Sequence, residues 1–179
     1  MAKAAREFGA DVRLTAATHQ SGTDRVHEVA RSEGWPGDTI VVNLQGDEPL
    51  MPPSLVREAA QMLKDDPAAD ISTLCHPLHS AEESLDPNVV KLVMDRRGYA
   101  LYFSRAPIPW KRDAADPKQA AQHMPEGLAY RHIGLYGYRV ASLNQFSALP
   151  AAELEQCEAL EQLRALSHGL RIRVGVTND

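Results

Sequence analysis

Four β-branched residues in a row, Thr39-Ile40-Val41-Val42, give way at once to Asn43, Leu44, Gln45, Gly46, Asp47, Glu48 and Pro49. Such a run suits a strand buried on both faces, and Gly46 and Pro49 forbid its continuation. Similar apolar or alternating runs predict strands near 11–15, 39–44, 71–78, 89–94, 99–104, 131–139 and 171–176. Helical patterns fall near 2–8, 23–33, 53–65, 141–147 and 152–168. Strands and helices thus alternate, as an α/β layer requires. Pro52-Pro53-Ser54 suits a helix start, and Asp95-Arg96-Arg97-Gly98 suits a hairpin turn in which Gly supplies positive φ. The segment 112–129, rich in Ala, Asp, Gln and Pro, reads as a surface excursion. With no internal repeat, residues 1–179 read as a single domain.

Composition narrows the class without naming a function. The chain has 179 residues, 44% hydrophobic and 24% charged, enough for one good core. Nineteen Lys and Arg against 24 Asp and Glu give a net charge of −5, which speaks against nucleic acid as the partner. The two cysteines, Cys75 and Cys157, sit far apart in apolar patterns and read as reduced core thiols of a reducing, cytoplasmic compartment. Neither an apolar leader nor a stretch of eighteen apolar residues is present, so no membrane contact is expected.

Candidate chemistry gathers at the end of the 39–44 strand. Ligands of open α/β sheets collect beyond the carboxyl ends of strands, where Asp47 would meet phosphates and their Mg²⁺. On the residues alone, a solvated acidic turn explains Asp47 and Glu48 equally well. Upstream, His19-Gln20-Ser21-Gly22-Thr23-Asp24-Arg25 supplies helix caps, a small residue and a cation at a helix start, which suits an anionic or hydrogen-bonding ligand or an ordinary capped surface helix. His76 and His79 fall on opposite faces of a strand and are rejected as a metal pair. Arg105 can meet a ligand carboxylate or form a structural ion pair. His132 and Tyr136, four apart, share a strand face with Gly134 between them and with Tyr138, so a polyol site and a packed aromatic row both fit. In the last helix Leu154, Cys157, Leu160, Leu163 and Leu166 form a broad apolar face beside Glu161 and Gln162. Glu161 can pair with Arg164, and Glu155 and Glu158 read as surface residues.

Five ordered stretches resemble the 3-deoxy-manno-octulosonate (Kdo) cytidylyltransferases, also called CMP-Kdo synthetases: HQSGTDR (19–25), VNLQGDEP (42–49), LDPNVVKLVMDRRGYALYFSRAPIPW (85–110), RHIGLYGYR (131–139) and LEQCEALEQLR (154–164). The resemblance implies a Rossmann-like nucleotidyltransferase sheet flanked by helices, mostly parallel with mixed edge strands. It implies transfer of CMP from CTP to Kdo with release of pyrophosphate, for lipopolysaccharide synthesis, with Mg²⁺ as cofactor and a homodimer as the complete protein. Carried over residue by residue, Gln20, Ser21, Gly22, Thr23 and Arg25 are expected to border CTP. Gln45, Arg105, His132, Tyr136, Glu161 and Gln162 are expected to contact the sugar acid, and Asp47 to hold the metal. The family's Gly/Arg/Lys loop for the triphosphate and its second metal carboxylate have no match here, so the chain reads as truncated at both ends and, by itself, as inactive and poorly stable. A sialic-acid type cytidylyltransferase and a non-catalytic truncated product are the rival expectations.

Overall fold

The computed structural model describes residues 2–178 apart from Gln20, Asp47, Pro49 and residues 123–126. The chain runs α1 (Ala2–Glu7), α2 (Gly22–Ser32), β1 (Ile40–Asn43), α3 (Pro53–Asp65), β2 (Ile71–Pro77), α4 (Ala81–Leu85), β3 (Lys91–Met94) and β4 (Ala100–Ser104). It continues through α5 (Pro117–Gln122), β5 (Tyr130–Arg139), α6 (Val140–Ala148), α7 (Glu153–Glu158), α8 (Gln162–Ser167) and β6 (Ile172–Val176). The strands form a six-stranded sheet in the order β4-β3-β5-β2-β6, with β1 also paired to β5. This is the expected sheet flanked by helices, but its pairing is not mostly parallel. β5 runs antiparallel to β1, β2 and β3, β3 and β4 form an antiparallel hairpin, and only β2 and β6 are parallel. The cause is local. β3 and β4 turn back on each other at Gly98 (φ +78°), and β5 enters through the 105–129 excursion, which leaves its direction free of the crossover that makes neighbours parallel.

Two further expectations fail for identifiable reasons. Residues 10–16 form no strand, and Leu14 is 78% exposed. Alternation makes a strand only where a neighbour takes up the backbone N–H and C=O groups, and no described strand lies alongside. The expected 152–168 helix is instead α7 and α8, broken at Ala159, which adopts the left-handed conformation with φ 51°. The break turns Leu154 and Cys157 outward, so Cys157 is no core thiol, while Leu160 and Leu163 stay buried. Cys75 is buried in β2, and desolvation pushes its thiol up to about 12.

The core lies on both faces of the sheet. On one face α3 places Leu55 and Ala59 against Leu74 and Leu135. On the other, Leu143 and Phe146 of α6 and Leu163 of α8 pack with Leu92, Phe103, Tyr138 and Ile172. This second face carries the candidate site.

Candidate active site

The site grows from three strands that lie abreast. Asn43 of β1 and Thr73 of β2 both pair with Tyr136 of β5, one on each side. Directly paired residues project to the same face. Between Ile133 and Tyr136 the β2–β5 register shifts, because Thr73 pairs with Tyr136 while Leu74 pairs with Ile133. Two residues of β5, Gly134 and Leu135, are therefore left out of step, and an even excess keeps His132 and Tyr136 on one face. Their rings lie 5.3 Å apart within a row that runs Phe103, His132, Tyr136, Tyr138 and Phe146. The polyol site and the aromatic row proposed as alternatives are thus compatible: the row exists, and His132 belongs to it. Desolvation lowers the His132 pKa to about 3, so its imidazole is neutral. Burial raises Tyr136 and Tyr138 as well, and the nearby Glu161 carboxylate adds to both shifts.

Where β1 ends, Gln45 turns back and donates its amide to Asn43 Oδ1 at 3.0 Å. The same amide lies against Gly22, where any Cβ would overlap it. Gly22 opens α2, whose N-cap is Ser21, with its Oγ accepting the Asp24 N–H at 3.1 Å. Thr23 follows, 2% exposed, and its hydroxyl donates to Glu161 Oε2 at 2.9 Å. Glu161 stands at the N-terminus of α8 and Gln162 is the first, buried residue of that helix. Residues from opposite ends of the chain therefore form one connected surface: Gln45, Gly22, Thr23, Glu161, Tyr138, Tyr136 and His132.

Hydrogen bonds from Ser104, Arg105 and Arg164 to Glu158 and Glu155 hold the α7–α8 break in place. The Glu158 carboxylate accepts from Ser104 Oγ at 2.6 Å, from the Arg105 backbone N–H at 2.9 Å and from Tyr102 at 3.4 Å. Burial works to raise its pKa, but these hydrogen bonds outweigh that and keep it lowered. Arg105 donates Nε to the Glu158 carbonyl at 2.7 Å and Nη1 to the Pro87 carbonyl at 2.9 Å, so it caps the carbonyl end of α7 instead of forming a side-chain ion pair. Arg164 pairs with Glu155 rather than Glu161, its Nε donating at 2.8 Å, and its guanidinium lies over the Phe146 ring. Glu155 and Glu158, which read as surface residues in the sequence, are structural anchors. Their roles depend on a helix break that carries neither Gly nor Pro and so leaves no mark in the sequence.

Not every expected residue joins this surface. Arg25 is exposed and donates to Thr15 Oγ1 and the Ala16 carbonyl, away from Glu161. Gln20 and Asp47 lie outside the described residues, although Glu48, beside Asp47 in sequence, lines a cavity of about 240 Å³ with Met51, Arg131 and His132. Among the described residues no group of three or more His, Cys, Asp or Glu could hold a metal ion. His76 bonds the Thr177 carbonyl through Nδ1 at 3.1 Å. Asn43 and Thr73 are the site neighbours that pattern reasoning missed. A polar residue ending an apolar strand beside Gln45 was the available signal for Asn43, whereas Thr73 reads as ordinary β-branched strand filler.

Comparison with known proteins agrees with this fold. The cytidylyltransferase family model matches residues 1–172. A 3-deoxy-manno-octulosonate cytidylyltransferase of Nitrosococcus oceani is 51% identical over 171 residues, covering 96% of this chain and 66% of the relative. The structure of a CMP:2-keto-3-deoxy-manno-octonic acid synthetase complexed with CTP superposes with a TM-score of 0.85 at 40% identity, covering 98% of this chain and 67% of that one. The chain thus spans about two thirds of the length of these relatives. With its fold and sequence matched over nearly all of its own length, the chain belongs to the cytidylyltransferase family.

Proposed function

We propose that the protein carrying this sequence transfers CMP from CTP to Kdo, giving CMP-Kdo and pyrophosphate. The observation that carries the reading is the Thr23–Glu161 hydrogen bond, which joins the expected cytidine side to the expected sugar side across 138 positions. The 51% identity to a Kdo cytidylyltransferase favours Kdo over sialic acid. In the transfer, the anomeric hydroxyl oxygen of the sugar acid attacks the α-phosphorus of CTP as the bond to the pyrophosphate oxygen breaks, and the hydroxyl proton is released to solvent. The part of these residues is orientation: Ser21, Gly22 and Thr23 border the cytidine, and Gln45, His132, Tyr136, Glu161 and Gln162 hold the sugar. Neutral His132 suits a hydrogen bond to a hydroxyl, not the uptake of a full proton at neutral pH. Arg105 acts at one remove by fixing the helix break that carries Glu161.

Mg²⁺ belongs to the same proposal, with Asp47 as the carboxylate that would hold it; bound there, the ion neutralises charge on the phosphate oxygens. So does a homodimer in a reducing, cytoplasmic setting, where free Cys75 and exposed Cys157 remain thiols. The test is separate titration of CTP and Kdo. Glu161→Ala should weaken Kdo binding about tenfold or more and CTP binding about twofold at most, since a lost polar contact to a hydroxyl discriminates strongly. Asp47→Asn should remove the Mg²⁺ dependence of CTP binding. Equal losses for both ligands in Glu161→Ala would contradict the sugar-side assignment.

A further inference from the structure

The Thr73 hydroxyl is wholly buried and lies within hydrogen-bond distance of three groups: the Leu135 carbonyl at 2.8 Å, the Ile133 carbonyl at 3.2 Å and His132 Nε2 at 2.9 Å. A hydroxyl has one proton to give. Given to His132, that proton would leave both carbonyl oxygens facing the Thr73 oxygen with no hydrogen between them; given to the nearer Leu135 carbonyl, it leaves only the longer Ile133 contact bare and lets the Thr73 oxygen accept from His132 Nε2, which is the better satisfied arrangement. His132 Nε2 therefore carries a hydrogen. A neutral imidazole protonated at Nε2 has its lone pair at Nδ1. Among the described residues Nδ1 has no hydrogen-bond partner.

The register shift in β5 makes this arrangement possible. With Gly134 and Leu135 out of step with β2, the Ile133 and Leu135 carbonyls both come within reach of one threonine oxygen. A regular ladder would have turned them to neighbouring backbone N–H groups. A second unpartnered group lies close by in the sheet: Asn43, 5% exposed and paired with Tyr136, has a buried Nδ2 with no partner among the described residues. An acceptor and a donor thus lie on either side of Tyr136, and an alcohol group can satisfy either.

We propose that Thr73 is a positioning residue that locks His132 as the Nε2–H tautomer, so that Nδ1 accepts a hydrogen bond from a hydroxyl of the sugar acid. The proposal rests on the Kdo reading for the identity of the ligand but not for the tautomer. A ligand presenting a carboxylate or phosphate oxygen to Nδ1 would meet a lone pair and be repelled. Recognition at this point is therefore selective for a hydroxyl donor, and its selectivity is set by a side chain that never touches the ligand.

The test reads the tautomer and the ligand separately. Long-range ¹H–¹⁵N spectra of the ¹⁵N-labelled protein, with the His132 signals identified by their loss in His132→Gln, should show a protonated Nε2 and an unprotonated Nδ1 at neutral pH. Thr73→Ser, which keeps the hydroxyl, should retain that pattern. Thr73→Val, which removes it at nearly constant shape, should give a mixture of tautomers and weaken Kdo binding roughly tenfold while changing CTP binding about twofold at most. An Nδ1–H tautomer in the parent, or an unchanged pattern in Thr73→Val, would overturn the lock. A mixed tautomer with unaltered Kdo affinity would overturn its role in recognition. A parent protein with the predicted tautomer but no affinity for Kdo would overturn the functional reading and leave the lock standing.

Discussion

Desolvation of the His132 imidazole, flanked by Phe103 and Tyr136, pushes its pKa down to about 3, whereas an unfolded histidine titrates near 6.5, at about that value by reference. Between these values the unfolded chain binds a proton that the folded chain does not. The contribution to stability is therefore complete above pH ~6.5 and falls as the pH drops toward 3, at up to about 1.4 kcal/mol per pH unit. Denaturant melts from pH 7 to 4 should show that loss, and His132→Gln should flatten it. An equal slope in the variant would mean that His132 is not the group responsible. Gly22 offers a second test at this scale. An added methyl overlaps the Gln45 amide, and because Gly22 is the first residue of α2 the helix-interior preference for Ala is felt only in part. Gly22→Ala should thus leave the melting temperature nearly unchanged while weakening Kdo binding by displacing Gln45. A loss of stability with unchanged binding would contradict the packing described. His132 and Tyr136 were legible because a spacing of four in a strand puts two residues on one face. Thr73 was not, because its partner is 59 positions away and its hydroxyl is invisible to a pattern of apolar and polar residues.

Apolar runs long enough to span a sheet marked β1 to β6, and those elements lie within a few residues of their expected bounds. Helical periodicity likewise marked α1, α2, α3 and α6, whereas the short helices α4 and α5 were missed. The five-residue helix α4 depends on the Ser80 cap, whose Oγ accepts the Glu83 N–H at 3.1 Å. The α7–α8 break depends on Arg105, Glu158 and the Glu155–Arg164 pair, all tertiary contacts that override an unbroken leucine spacing. Ala159 bears the strain of that break at φ 51°. Ala159→Gly should relieve about 1 to 2 kcal/mol of that strain against about 0.4 to 1 kcal/mol for the greater freedom of glycine in the unfolded chain, a small net stabilisation. Thermal unfolding checks the sign: a clear destabilisation would show that the left-handed residue is not under strain.

Across the whole molecule β5 is the organising strand. It pairs with β1, β2 and β3, carries His132, Tyr136 and Tyr138, and presents them to α2 and to the α7–α8 break. Residues recruited from positions 22 to 162 therefore meet on one face although no short motif contains them. Strand direction was the part of the architecture least open to sequence reading, since alternation of strands and helices sets their order and not their sense. The described strands show one parallel pairing where several were expected. The central claim is that this face brings a cytidine nucleotide and Kdo together for transfer. It is tested most directly by pyrophosphate release from CTP and Mg²⁺ in the protein carrying this sequence, with Kdo or sialic acid as acceptor. Release that requires Kdo, yields CMP-Kdo and is at least about tenfold slower with sialic acid is the predicted result. Equal or faster release with sialic acid, or no CMP-Kdo at all, would contradict it.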